Sequence, residues 1–327
     1  MSYDLDKDLF LYKSNVNEEI SPASITKLMT ALILYENTAL NDIVTISYPD
    51  GYNFEGKVAY LDEGTQVSAE QLLEFLLVYS ANDSAYAIAM YISNSVEDFV
   101  ELMNKTASKL NMTKTNFKNP DGLDEINHYT TLNDLLILSK YILKNTKLID
   151  ITNKSKFYFD QNGEVKKFIN TNIIIDDGFK GLKTGWTSSA GLTFIGYNQD
   201  FNRNIITIVN KSYVDEDKES HFLDTLKLYQ ESLSNFVDNP LINISDDIYI
   251  VNNSFESSRY PMQYSISKFG NINISTMMYL EDIDNLSMKL SNNFDNEIFK
   301  IPFIKSANVV NYNFLLSNVI SKFVISE

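Results

Sequence analysis

The chain has 327 residues, 44% of them hydrophobic, which is enough for a full-sized core and for more than one domain. A formal net charge of -16, with only Arg203 and Arg259 as arginines, excludes an electrostatic footprint for nucleic acid and leaves lysine as the cation available to a site. The absence of cysteine and the presence of only His128 and His221 exclude disulfides, thiolate chemistry and a histidine-rich metal centre, without deciding the compartment. Met1-Ser2-Tyr3-Asp4 has neither the basic nor the apolar segment of a secretion signal, so an exported protein would carry its signal outside this sequence.

In chain order, Asp8 to Lys13 reads as a short strand, followed by a polar turn. A helix is expected over Ser21 to Glu36, with Ser21 as its cap, Pro22 at the first helical position and Ala, Leu, Met and Ile in its interior. An irregular stretch from Ile43 to Leu61 leads to Ser68, the expected cap of an almost wholly apolar helix through Leu72, Phe75 and Val78. Helical periods recur over Asp83–Ser93, Val96–Leu110 and Leu132–Leu143, and Asn119-Pro120-Asp121-Gly122-Leu123 reads as a turn. From Lys156 the period changes to alternation, through Val165–Ile169, Leu182–Gly185, Leu192–Tyr197 and Ile205–Val209, which predicts an antiparallel sheet. Phe222 to Phe236 is helical, Asp238-Asn239-Pro240 is expected to break it, and the short alternating runs beyond predict a small β domain. The tail from Phe314 is compatible with an amphipathic helix, either packed or anchoring, and is too short to span a membrane.

Chemistry concentrates in three triplets. Ser24 and Lys27, three residues apart, fall on one helical face, where an amine reaches a hydroxyl near the positive end of the helix dipole. Ser80-Ala81-Asn82 closes an apolar helix, and Lys183-Thr184-Gly185 stands at the end of a strand, where glycine admits a ligand to the backbone. Singly these patterns are weak: Ser265-Ile266-Ser267-Lys268 repeats the first and Ser291-Asn292-Asn293 the second, but in a strand and a polar loop.

Together, in this order, they are the combination used by penicillin-binding proteins and class A β-lactamases. The chain closely resembles the low-molecular-mass penicillin-binding proteins that are serine-type D-alanyl-D-alanine carboxypeptidases, over roughly its first 240 residues. Pro22 to Thr30, Ser80-Ala81-Asn82-Asp83, Gly181 to Gly185 with Ala190-Gly191, and Asn119 to Leu123 with His128-Tyr129 all match family segments. The resemblance implies an α+β fold of the β-lactamase/transpeptidase type: a five-stranded antiparallel sheet flanked by helices over residues 1–238, a small all-β domain over 239–312, and a terminal helix or tail over 313–327.

It further implies Ser24 as nucleophile, Lys27 as proton acceptor, Ser80 as proton relay to the leaving group, and Asn82 as the residue holding Lys27 and the substrate amide. Lys27 must then be neutral, with burial and a second cation, Lys183, lowering its pKa. Lys183, Thr184 and Thr187 would bind the terminal carboxylate, and Gly185 would let the strand approach. Backbone N–H groups of Ser24 and Trp186 would form the oxyanion hole, with Trp186 standing where many relatives have histidine. His128 is assigned to packing or a turn hydrogen bond. The implied substrate is the peptidoglycan stem peptide ending in D-Ala-D-Ala, with β-lactams as acylating inhibitors, no cofactor, no metal, no nucleic acid, and an extracytoplasmic location at the cell envelope; the tail leaves a peripheral membrane contact open. A β-lactamase is the nearest rival, but no Glu lies four residues before an Asn between residues 111 and 183, which predicts slow deacylation. A non-catalytic wall-binding scaffold is the other alternative.

Overall fold

The computed structural model describes residues 1–200 and 203–244 and, beyond them, the backbone of short strands reaching Ser326. Two compact units divide at Tyr229 and Gln230.

In the first unit, β1 (Ser2–Asp4) and β2 (Leu9–Tyr12) lead to a 3-10 turn at Ala23–Thr26, from which α1 (Lys27–Asn37) departs. The helix thus starts later than its pattern predicts. Ser21 caps nothing; its Oγ donates to Asp124 Oδ1 at 3.1 Å. Ala23 takes a left-handed φ of +47°, a conformation that costs an alanine roughly 1 kcal/mol and persists only where packing holds it. The turn is pressed onto the sheet, and that tertiary contact overrides the local helical preference. From Lys27 to Leu34 every residue of α1 is buried, so the helix runs through the core rather than along its surface.

The short strands β3 (Ile43–Thr45) and β4 (Gln66–Ser68) pair with each other. Ser68 caps α2 (Ala69–Leu73) reciprocally: its Oγ accepts from Gln71 N–H and the Gln71 side chain accepts from Ser68 N–H. A π-helical turn, Glu74–Tyr79, continues it and ends at Ser80 in a left-handed conformation, φ +70°. Then come α3 (Asn82–Ser93), α4 (Val96–Lys109), α5 (Leu132–Asn145) and α6 (Leu148–Thr152).

The hairpin of β5 (Lys156–Gln161) and β6 (Glu164–Ile169) is a sheet of its own, not part of the large one as the alternation implied. Alternation reports a half-buried strand, not its partner. Here the buried face docks on the π-helical turn: Phe75 meets Phe157, Phe159 and Phe168 edge-on at 4.9–5.1 Å. The main sheet comprises β7 (Phe179–Thr187), β8 (Gly191–Asp200) and β9 (Arg203–Ser212) with the first two strands, in the order β2-β1-β9-β8-β7, antiparallel throughout. The five-stranded antiparallel sheet with helices is therefore as expected, with β7 at one edge. α7 (Ser220–Asn235) follows.

Beyond it, β10 (Phe236–Ile244) contains Pro240, so Asp238-Asn239-Pro240 lies inside a strand, with a register shift between Pro240 and Ile242. A bulge absorbs a residue that cannot donate to the ladder. Phe255–Glu256 pairs Pro261–Met262, Ile272–Tyr279 pairs β10, and Ser287–Ser291 pairs both Asn296–Lys300 and Lys322–Ser326. Residues 322–326 are thus extended rather than helical. The remainder of the tail, 313–321, and the second serine-lysine triplet at 265–268 lie outside the described residues. Among the described residues no helix is long and apolar enough to cross a membrane.

Candidate active site

Three pieces of chain meet at one cleft of about 890 Å³: the 3-10 turn with the start of α1, the junction of the π-helical turn with α3, and the edge strand β7. Ser24, Ser80, Asn82, Thr184, Gly185, Trp186 and Thr187 line it. Lys27 and Lys183 are buried beside it, each bonded to one of the serines. All nine residues singled out by sequence are therefore together. Lys183 stands in the middle of β7, not at its end.

Lys27 Nζ has three oxygen partners: Ser24 Oγ at 3.0 Å, Asn82 Oδ1 at 2.6 Å and the Asp121 carbonyl at 2.7 Å. The carbonyl can only accept. Asn82 presents its oxygen because its Nδ2 donates to the Glu55 carbonyl at 2.8 Å. A neutral amine has two N–H bonds, which these acceptors consume, so its lone pair faces the hydroxyl of Ser24. Burial, with Lys57 adding repulsion and Asp121 and Asp83 opposing, brings Lys27 down to about 8.

Lys183 Nζ donates to Ser80 Oγ at 2.8 Å and to the Thr184 carbonyl at 3.0 Å. Burial, then repulsion from Lys27 and Lys57, pushes it well below an ordinary lysine. Two acceptors again suit a neutral amine. Lys57 is a further cation acting on Lys27, its own ammonium 4.2 Å from the ring centroid of Tyr79, while the repulsion between Lys27 and Lys183 disfavours charge on the pair.

Backbone strain and glycine shape the remaining walls. A Cβ on Gly122 (φ +90°) would lie 1.9 Å from the Ala23 carbonyl oxygen, and one on Gly185 would lie 3.2 Å from Ser24 N. Both glycines let neighbouring backbone close on the nucleophile turn. The hydroxyl of Thr187 is already engaged, donating to Asp124 Oδ1 at 2.7 Å and accepting from Ala190 N–H at 3.0 Å, while Thr184 Oγ1 donates to Thr171 Oγ1 at 2.7 Å. Trp186 is half exposed and carries Lys218 Nζ 3.8 Å from its ring centroid. His128 packs edge-on to Phe117, and its Nε2 is 3.1 Å from Thr26 Oγ1, a packing role as expected.

Sequence reasoning missed Lys57, Asp124 and the work of Asp83. The Asp83 carboxylate, fully buried, accepts from Ala59 N–H and Leu61 N–H at 3.0 and 3.1 Å and so pins the segment carrying Lys57 against Asn82, whose N–H donates to the Lys57 carbonyl. Only the position of Asp83 beside the second triplet hinted at this. Lys57 and Asp124 stand outside every motif, and contact alone reveals them.

A cleft-lining serine bonded to a buried lysine, between a helical cluster and the edge of an antiparallel sheet, is a setting for acyl transfer through a serine ester. The chain belongs to the D-alanyl-D-alanine carboxypeptidase family, peptidase S11, whose description matches residues 2–212. It is 34% identical over 213 residues to the D-alanyl-D-alanine carboxypeptidase DacF of Bacillus subtilis, covering 62% of this chain but only 54% of that protein. It therefore spans about half the length of that curated relative. Among solved structures it is similar to penicillin-binding protein D2 of Listeria monocytogenes in a cefotaxime-bound form, with 28% identity, a TM-score of 0.62, and 71% of this chain and 95% of the other covered. A D-alanyl-D-alanine carboxypeptidase DacD from Francisella tularensis shares the fold over 99% of this chain and 87% of its own, at a TM-score of 0.73 and 19% identity.

Proposed function

We propose that the protein is a serine DD-carboxypeptidase that removes the terminal D-alanine from peptidoglycan stem pentapeptides, with β-lactams as acylating inhibitors. The observation that carries this is the hydrogen-bond geometry at Lys27, where two acceptors leave the amine lone pair facing Ser24 Oγ.

Ser24 Oγ attacks the carbonyl of the penultimate D-alanine while its proton passes to neutral Lys27. The oxyanion is received by the N–H groups of Ser24 and Trp186; the closeness of Gly185 to Ser24 N is consistent with the two lying side by side. Collapse breaks the C–N bond, and the leaving nitrogen takes its proton from the hydroxyl of Ser80, which Lys183 holds and which is replenished from protonated Lys27. Water then hydrolyses the ester, giving up a proton and regenerating Ser24. Asn82 places Lys27. Lys183, Thr184 and Thr187 bind the terminal carboxylate, the two hydroxyls turning to it from their present acceptors, Thr171 Oγ1 and Asp124 Oδ1. On this reading residues 1–238 are the catalytic domain, 239–312 a separate β domain, and the protein works at the cell envelope, outside the cytoplasm.

Peptide mass spectrometry after brief exposure to benzylpenicillin, with Ser24→Ala alongside, tests the reading. A slowly lost adduct on Ser24, absent from Ser24→Ala, and D-alanine release from a pentapeptide are expected. Rapid drug turnover without a lasting adduct would indicate a β-lactamase, and neither adduct nor turnover would overturn catalysis.

A further inference from the structure

Four aromatic rings gather in the irregular segment between β3 and β4. Tyr48 and Tyr52 stack with centroids 5.1 Å apart, Phe54 meets them edge-on at 5.4 and 5.0 Å, and Tyr60 lies 5.7 Å from Phe54. Tyr86 of α3 supports Tyr52 at 4.6 Å. The cluster nonetheless reaches the surface: Phe54 is 40% exposed and Tyr60 64%. Large apolar rings grouped in the open mark an interaction surface.

Tyr60 is held there in a strained conformation. Its φ of +59° is unfavourable for a bulky residue. Its neighbours enforce that angle: Ala59 and Leu61 are buried, with their N–H groups on the Asp83 carboxylate at 3.0 and 3.1 Å, and the Tyr60 carbonyl accepts from Gln161 Nε2 at 2.9 Å. The backbone is clamped while the ring stays in solvent, so the strain does not serve to bury that ring. The hydroxyls of Tyr52 and Tyr60 make no hydrogen bond among the described residues, whereas that of Tyr48 donates to the Leu61 carbonyl at 2.7 Å.

Ring faces supply apolar area and free phenol hydroxyls supply donors, a combination that suits a pyranose, whose C–H face is apolar and whose hydroxyl and amide groups point outward. Asp50, Glu55, Asp62 and Glu63 stand in the same segment against the single cation Lys57, so an anionic polymer or lipid is repelled and a neutral one is not. The patch is also continuous with the cleft. Glu55, Gly56 and Lys57 line that cleft beside Asn82, the residue assigned to the substrate amide, so the acyl side of the substrate leads toward them. A pentapeptide has four residues on that side of its terminal bond, a reach of about 14 Å when extended. Tyr60 is three residues from Lys57, at most about 10 Å along the chain.

We infer that this aromatic patch is a saccharide-binding surface that seats an amino sugar of the glycan strand to which the stem peptide is joined. The inference rests on the carboxypeptidase reading above and deepens it. The stem then bridges patch and cleft, and a sugar held at one end raises the effective concentration of the D-alanine terminus at Ser24.

The test compares kcat/KM for D-alanine release from the free pentapeptide and from the same pentapeptide joined to its amino-sugar disaccharide. Wild type, Phe54→Ala, Tyr60→Ala and Tyr60→Phe are assayed, and benzylpenicillin acylation of Ser24 is followed in each as a check on folding. Wild type is expected to prefer the disaccharide substrate by about tenfold or more, through KM rather than kcat. Both alanine variants should bring that preference toward one, the loss falling on the sugar-bearing substrate, and Tyr60→Phe, which keeps the ring face, should retain more of it than Tyr60→Ala. Equal kcat/KM for the two substrates in wild type, a preference unchanged in both alanine variants, or a loss common to both substrates would overturn the inference, leave the patch to a protein partner, and leave the carboxypeptidase reading standing. If wild type cleaves neither substrate, the carboxypeptidase reading fails and the inference falls with it.

Discussion

Lys183 donates from a fully buried amine to Ser80 Oγ at 2.8 Å, although 103 residues separate them in the chain. That bond orients the hydroxyl which the mechanism needs as a relay. Replacing Lys183 with Met keeps the bulk and removes the donor. Acylation by benzylpenicillin is expected to slow by about 100-fold or more, with thermal unfolding little changed, since proton transfer by a positioned group contributes roughly 10²–10⁴-fold. Stopped-flow acylation with a parallel thermal melt measures both.

The acylation rate should rise with pH through about 8. Burial favours the neutral amine of Lys27, so the reactive fraction is small below that pH and grows as the proton is lost. No histidine limb is expected between pH 5 and 7, because burial holds both His128 and His221 down near about 4 and keeps them neutral throughout. A rate flat from pH 7 to 9 would contradict Lys27 as the base.

Gly122→Ala is expected to be severe, because its Cβ would sit 1.9 Å from the Ala23 carbonyl oxygen, at a backbone angle hostile to alanine. A loss of about 3 kcal/mol or more in stability, with acylation nearly abolished, follows from displacing the nucleophile turn. Gly51→Ala, with φ +73° but open space around it, should cost about 1 kcal/mol and leave acylation alone. Chemical denaturation of the pair separates collision from conformational strain.

Asp83→Ala should cost about 3 kcal/mol, since two buried N–H groups, of Ala59 and Leu61, lose a charged acceptor. The segment behind Asn82 should loosen as well. Hydrogen exchange at residues 55–61 should quicken more than exchange in α1.

Trp186→Ala is expected to leave acylation within about threefold, because the oxyanion needs the backbone N–H of that residue and not its ring. A collapse of the acylation rate would show that the ring, with Lys218 against it, helps to seat the acylating ligand.

The three triplets and the antiparallel sheet could be read from sequence because their signals are local: alternation marks a strand, and spacing marks a face. The start of α1 could not. Ser21, Pro22 and Ala23 have the makings of a helix entry, and the contacts of Ala23 with Gly122 and of the turn with β7 decide otherwise. Pro240 looked like a stop and is a bulge, because whether a strand tolerates proline depends on its ladder.

By itself the sequence determined the family and pointed to the proposed nucleophile and base, since these reside in residue types at short spacing. The tertiary structure alone decided which groups act on them. Lys57 lowers Lys27, Asp124 engages Thr187, and the Asp121 carbonyl accepts from Lys27, all across gaps of 30 to 94 residues in the chain. Coulomb forces and hydrogen bonds act through space over a few ångströms, so partners brought together by folding leave no pattern in the order of the residues.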